Sequence, residues 1–510
     1  MAPYSTEKEI LEIHEILKQT FASGRTKELA WRKWQLKQLW WLVADNEDRF
    51  IQALKEDLNR HPLESMASDI AGLKGDILEH IKHLEKWTRT VKVDGAGILF
   101  GTLSGAKIRK DPLGVALILG AWNFPILLIL QPLIAAISAG CCALLKPSEM
   151  STSCSELLDE LVPQYLDTSA IRLVTGGPSE STFLLSLRFD KIFFTGSSKI
   201  ARIISAAAAK HLTPVVLELG GQGPTIVTKS ADIELAARRI SWAKFTNAGQ
   251  ICLSVNHVFA EPEIADKLVE RLGYWNEQYL SQGNDDMCRV INDRNFNRLT
   301  DLLDCSKGQT VQGGQRIPAE RYIAPTIVDH VTMDDSLMSE ELFGPILPVL
   351  RMSAKDAVTT INSMPSPLAL YIFSGDTNQI DWIINSTISG GVTVNNVMLH
   401  AAVPNAPFGG VGEAGYGAYH GPYGIDSFSH RRVILQPPKW LDKLMGFTYP
   451  PYSMKSLKWL AVKNSLGFKR GETLEDQRRS PGAVTKFIRR AVLGGLISSI
   501  AYYLHLKGRI

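Results

Sequence analysis

The chain has 510 residues, 45% apolar and 21% charged, with a formal net charge of +3. That length exceeds one ordinary core, so two or three domains are expected, and the balance excludes a disordered, collagen-like or coiled-coil chain. A mean hydropathy of −0.01 excludes a multispanning membrane protein, and the small net charge argues against general nucleic-acid binding. Charge is nonetheless uneven: residues 451–510 hold 12 Lys and Arg against 3 Asp and Glu. A basic tail on a slightly acidic body points to an anionic partner for the tail.

Residues 1–90 read as helices. Thr6 and Glu9 have the spacing of a capping box, and Ile10, Ile13, Ile16 and Leu17 follow at helical period. Amphipathic stretches recur over 31–42 and 73–87. Residues 91–108 alternate like strands and are punctuated by glycine, which predicts a hairpin standing off the body. From Pro112 short apolar runs alternate with helical patterns. Strands are predicted at 115–119, 143–145, 171–174, 191–194 and 215–217, with helices at 126–138, 155–165, 180–187 and 199–210. Runs of three to five apolar residues without polar alternation suit strands buried on both faces, hence a doubly wound parallel α/β sheet. A second α/β region spans 218–395, with a helix over 232–245. Residues 436–485 form a basic extension, and 486–510 end the chain in an apolar run.

Ligands of such sheets lie beyond the carboxyl ends of the strands. Four motifs stand there: Trp122-Asn123-Phe124-Pro125, Lys146-Pro147-Ser148-Glu149, Phe194-Thr195-Gly196-Ser197 and Glu218-Leu219-Gly220-Gly221. Asn247-Ala248-Gly249-Gln250-Ile251-Cys252 ends 34 positions beyond Glu218. Singly, each has a plainer explanation. Asn123 would cap a helix starting at Phe124, Gly196-Ser197 would be an ordinary cap, and Glu218 a turn carboxylate. Cys141, Cys142 and Cys154 fit inert core. Cys252 differs, because it follows a Gly-Gln pair outside any apolar period, as a turn-borne nucleophile does. No cysteine pair has C-x-x-C spacing, so no metal site is expected. Glu7, Lys8, Glu9 and Glu12 fall where a secretory signal would be apolar, so a reduced compartment is expected.

Together the motifs resemble those of the NAD(P)-dependent aldehyde dehydrogenase superfamily, and in particular its class 3 and fatty aldehyde branch. Further matches are Glu340-Glu341-Leu342-Phe343-Gly344-Pro345, Pro407-Phe408-Gly409-Gly410-Val411-Gly412, Tyr419-His420-Gly421 and Phe428-Ser429-His430-Arg431-Arg432. The resemblance spans about residues 8–435. It implies a Rossmann-like cofactor domain from 1–90 and 109–217, a catalytic domain over 218–395, and a small β oligomerisation arm from 91–108 with part of 396–435. It also implies a homodimer.

By the same resemblance Cys252 is the nucleophile, and Asn123 with the Cys252 N–H forms an oxyanion hole. Glu218 is the general base that activates water against the thioester. Lys146 and Glu149 address the adenosine ribose, which favours NAD while the branch also tolerates NADP. Gly196 and Ser197 open a helix toward the pyrophosphate, with Trp122, Leu219 and Gly220 beside the cofactor. Glu341 matches the position that binds the nicotinamide ribose, and Phe343 packs by the ring, core packing being its plainer reading. Two departures concern cofactor detail: Ala201 stands where many relatives have a second glycine, and Gln222-Gly223-Pro224 replaces the commoner Lys-Ser-Pro or Lys-Asn-Pro.

The expected reaction is oxidation of a long-chain or lipophilic aldehyde to the acid. The runner-up substrate is an isoprenoid, apocarotenoid or terpenoid aldehyde. Intact Asn123, Glu218 and Cys252 disfavour a scaffold that merely binds cofactor, and Glu218 disfavours release of the acyl group to coenzyme A. Residues 491–506 carry no Asp, Glu, Lys or Arg between basic flanks. As a helix they reach ~24 Å against the ~30 Å of a bilayer core. The expectation is a C-terminal membrane anchor, spanning or interfacial, with the catalytic body in the cytosol. Endoplasmic reticulum, peroxisome and mitochondrial outer membrane all remain open.

Overall fold

Five apolar runs make the first sheet, because side chains on both faces meet helices. A computed structural model describes residues 4–455 and 470–479. In chain order its strands are β1 (Val91–Lys92), β2 (Lys107–Pro112), β3 (Val115–Leu119), β4 (Cys142–Lys146), β5 (Ile171–Leu173), β6 (Lys191–Gly196), β7 (Val215–Leu219), β8 (Pro224–Val227), β9 (His257–Ala260), β10 (Gln309–Gln312), β11 (Arg316–Ile317), β12 (Tyr322–Ile323), β13 (Thr326–Asp329), β14 (Ile346–Arg351), β15 (Ala369–Phe373), β16 (Gly391–Val394), β17 (Gly415–Tyr416) and β18 (Ser429–Ile434).

The first sheet has the order β17-β7-β6-β3-β4-β5, parallel except for the edge strand β17. Its register levels the carboxyl ends, pairing Leu119 with Lys146 and with Phe194, and Gly196 with Leu219. The second sheet runs β10-β13-β14-β9-β8-β15-β16 and is parallel except for β10. β11 and β12 form a separate pair. The fold is thus α/β with two parallel-sheet layers.

Helices over 7–22, 29–44, 47–58 and 71–88 form most of the amino-terminal region. The first is closed by the expected box, with Glu9 N–H donating to Thr6 Oγ1 at 3.3 Å and Thr6 N–H to Glu9 Oε2 at 2.7 Å. Predicted β3 matches residue for residue. β4, β6 and β7 run further than predicted, because Lys146, Gly196, Glu218 and Leu219 continue the ladder although hydropathy drops at some of them.

Two local expectations are corrected. Residues 91–108 do pair as a hairpin, β1 with β2, and β18 completes a three-stranded antiparallel sheet. The connection 97–103 nevertheless winds as wide helical turns instead of strand, entered through Gly95 and Gly97 at φ 67° and 68°. The helix after β3 begins at Leu127, and its first amide is received by Asp69 Oδ1 at 2.9 Å. Asn123 is therefore released from any capping duty.

The described residues fall into two compact units, divided between Gln436 and Pro437. The second carries short helices at Leu441–Met445 and Leu474–Arg479. The expected anchor lies outside the described residues. Among the described residues no helix is long and apolar enough to cross a membrane.

Candidate active site

Residues from both parallel sheets enclose a cavity of about 370 Å³. The first sheet contributes its carboxyl edge: Trp122 and Asn123 after β3, Gly196 at the end of β6 with Ser197 next, and Glu218, Leu219 and Gly220 at the end of β7. The second contributes Cys252 from the turn before β9, and Glu341 and Phe343 from the loop before β14. Lys146 and Glu149 are not in this wall. They bind each other at 3.1 Å, Nζ to Oε2, and their neighbour Met150 lines the cavity instead.

Cys252 follows a helix over 233–245 and a tight turn over 246–249 in which Asn247 and Ala248 both have φ 52°. Gly249 completes the bend at φ 70°; a β-carbon there would collide with the Gly344 carbonyl. The thiol is half-buried, and burial, followed by the charges of Glu341 and Glu218, pushes it up to about 12. At neutral pH Cys252 therefore rests as a thiol. Glu218 is 4% exposed, and neither of its carboxyl oxygens has a hydrogen-bond partner. Burial alone holds its carboxyl well above the usual range. Asn123, 3% exposed, donates from Nδ2 to Gln250 O at 3.0 Å, which leaves the second amide hydrogen available.

The other end of the cavity suits a dinucleotide. Ser197 makes no capping bond to the helix over 198–209, so the first-turn amides there remain open to an anion. Gly220 lies against the Glu341 carboxylate, and a side chain at that position would occupy the same space. Glu341 is pushed up to about 7 by burial, which outweighs Gly221 N–H and Lys244. Phe343 takes φ 49°, a strained value for an aromatic residue, and its ring meets Trp122 edge-on at 5.3 Å. Arg298 Nη2 donates to Leu342 O at 2.7 Å and Asn256 Oδ1 accepts from Leu342 N–H at 2.9 Å, holding that loop.

Sequence reading missed several groups. Lys244, 1% exposed, is lowered to about 7 by burial. Tyr419 is 3% exposed, and its phenol is raised by burial and then by the charges of Glu218 and Cys252. Buried Arg60 and Asp69 and half-buried Glu64 reach this site from the helical amino-terminal region. Tyr419 at least stood inside a matched motif. The others had no local signal, because burial of a lone charge depends on contacts distant in the chain.

Residues 1–434 match the aldehyde dehydrogenase family. The chain belongs to that family. This aldehyde dehydrogenase is 40% identical over 450 residues to rat aldehyde dehydrogenase family 3 member A2, covering 87% of this chain and 92% of the relative. It is also 40% identical to the beta-apo-4'-carotenal oxygenase of Neurospora crassa, covering 86% and 83%. Among solved structures, the substrate-bound AldH of Staphylococcus aureus superposes with a TM-score of 0.81 at 36% identity, over 86% of this chain and 99% of that one. The enzyme is a class 3 aldehyde dehydrogenase and uses NAD(P) to oxidise an aldehyde.

Proposed function

We propose that this enzyme oxidises long-chain or otherwise lipophilic aldehydes to carboxylic acids, with Cys252 as nucleophile. The observation that carries the reading is the meeting of Cys252, Asn123 and Glu218 on one cavity. Phe124, Met398, Ala401 and Phe408 pack, as Cys252 does, against one apolar core, and Leu399 and Val403 from the same segment stand 52% and 49% exposed; these apolar groups support a lipophilic substrate.

The steps follow from the residues. Cys252 Sγ gives its proton to solvent and adds to the carbonyl carbon, forming a C–S bond as the C=O π pair moves onto the former carbonyl oxygen and leaves it negative. The Asn123 amide and the Cys252 N–H receive that charge, each such donor being worth ~3–4 kcal/mol of barrier. NAD(P), when bound, supplies the acceptor for the hydride that leaves this carbon. Bound NAD(P) would be held by Glu341 at the nicotinamide ribose, by Phe343 and Trp122 at the ring, and by the amides after Ser197 at the pyrophosphate. A thioester on Cys252 remains. Glu218 takes a proton from water, the hydroxyl adds to the acyl carbon, and the C–S bond breaks to release the acid.

A second substrate reading, an apocarotenoid or other isoprenoid aldehyde, is favoured by the likeness to the Neurospora protein. Purified enzyme with NAD, offered straight-chain aldehydes from two to sixteen carbons beside an apocarotenal, separates the two. Rising kcat/KM with chain length supports the first, and a strong preference for the polyene supports the second. Preference for the shortest aldehydes refutes both.

The same reading extends to location. The basic tail is proposed to hold a cytosolic catalytic body at an organelle membrane, as its charge and its apolar run support. A homodimer is proposed through the β1-β2-β18 sheet and its helical connection: Ile98 and Phe100 of that connection and Val433 of β18 stand 75%, 53% and 67% exposed.

A further inference from the structure

The loop between β3 and Leu127 carries Asn123, yet little within that loop fixes its direction. The fixing comes from 63 residues upstream. Arg60 is fully buried, and its Nη2 donates both to the Asn123 carbonyl and, at 2.7 Å, to Asn247 Oδ1. Asn247 in turn donates from Nδ2 to the same Asn123 carbonyl and to Gln250 O, each at 3.1 Å. Gln250 O is the group that also receives the Asn123 side-chain amide. The Arg60 guanidinium pairs with Asp69, whose other oxygen accepts the Leu127 amide, and lies 4.8 Å over the Phe124 ring. Glu64 closes the arrangement by accepting the Asn247 amide at 2.7 Å.

We propose that Arg60 is a positioning residue for the oxyanion hole, locking the Asn123 amide to the left-handed turn that presents Cys252. This rests on the reading of Asn123 as an oxyanion donor. Three features separate the role from plain packing. A buried ion pair alone is weak evidence of stability, since apolar side chains of the same volume fill such a space as well. No apolar side chain can bond the Asn123 carbonyl and Asn247 Oδ1 together. A planar guanidinium reaches both acceptors and Asp69 at once, whereas an ammonium acts as a point charge. Finally, the segment supplying Arg60, Glu64 and Asp69 departs from α-helix into a wide turn at Met66–Ile70, a distortion found often at functional sites. Arg60 touches no reacting atom, so its effect must pass through Asn123 and the turn.

A double-mutant cycle on the full-length enzyme tests this. Asn123→Ala, Arg60→Met and the double variant are compared in kcat for aldehyde oxidation, with NADH affinity measured by fluorescence titration. Loss of one oxyanion donor lowers kcat about 10²–10³-fold. Arg60→Met is expected to approach that loss while NADH affinity stays within about threefold, and to cost less than about threefold once Asn123 is already Ala. Arg60→Lys should recover part of kcat. Should Arg60→Met not fold, Asn247→Ala enters the same cycle, because it cuts the same link from the turn side. Equal losses in both backgrounds, or a kcat for Arg60→Met within threefold of wild type, overturn the proposal. Wild-type turnover in Asn123→Ala would instead refute the oxyanion reading beneath it.

Discussion

Replacing Glu218 by Gln keeps the side-chain volume and removes only the ability to take a proton. Because neither carboxyl oxygen of Glu218 has a partner, the substitution breaks no hydrogen bond, and structural side effects are small. A positioned general base contributes about 10²–10⁴ in rate, so thioester hydrolysis should slow by that factor while hydride transfer continues. The first turnover then outruns the second. Mixing Glu218→Gln enzyme with NAD and a long-chain aldehyde should release a burst of NADH close to one per active site, followed by a slow phase. Acid quench and intact mass should show the protein heavier by one acyl group, on the peptide containing Cys252.

A second arm uses stability. A folded carboxyl raised by burial binds its proton more tightly than the unfolded chain does. Its contribution is therefore lost as pH rises from the ordinary carboxylate range through the folded value. Glu218→Gln does not ionise, so its melting temperature relative to wild type should climb between pH 5 and pH 8. Absence of any acyl adduct together with a pH-independent melting difference would refute the assignment of Glu218 as a dry, unpaired base.

Cys252→Ala should abolish turnover and leave NADH affinity within a few-fold by fluorescence titration; residual NADH production above the uncatalysed rate would exclude Cys252 as nucleophile. Since burial and two carboxylates push the Cys252 thiol up to about 12, pre-steady-state NADH formation in wild type should accelerate from pH 7 to pH 9; a flat profile would contradict it. Glu341, poised at about 7, is roughly one-tenth ionised at pH 6 and nine-tenths at pH 8, so NAD should bind more tightly across that interval. Glu341→Gln should flatten the binding curve, and Lys244→Met should move its midpoint to higher pH by removing the buried cation that favours the carboxylate. Deleting residues 480–510 should move the expressed protein from the membrane pellet to the supernatant with kcat for a soluble aldehyde unchanged; an unaltered distribution would dismiss the anchor.

The legible part of the molecule was the part whose causes are local. β3 could be read to the residue because Val115–Leu119 is uniformly apolar and buried on both faces. The helix over 233–245 was readable because Asp232 caps it, accepting from Leu235 N–H. The placement of Gly196, Leu219 and Gly220 on the cavity followed from a topological rule about strand ends, not from their side chains. Lys146 and Glu149 stand at the same edge: their strand end is level with its neighbours, and the two side chains bind each other three residues apart.

What local pattern could not disclose is the support beneath the reacting groups. Arg60 follows Asn59, whose left-handed φ of 52° ends the preceding helix, and nothing adjacent marks it as buried. Its charge is tolerable only because Asp69, Asn247 and the Asn123 carbonyl, from three separated segments, converge on one guanidinium. The same logic governs Cys252. Its ionisation is set by Glu218 on one sheet and Glu341 on a loop of the other, and by a burial that exists only when both sheets are in place. The chemical identity of the site is written in short motifs, whereas the energies that tune it belong to contacts that reach as far as 187 positions along the chain. A substitution that spares every motif residue but loosens the Arg60–Asn247 link should therefore lower turnover while leaving the recognisable pattern of the family unchanged.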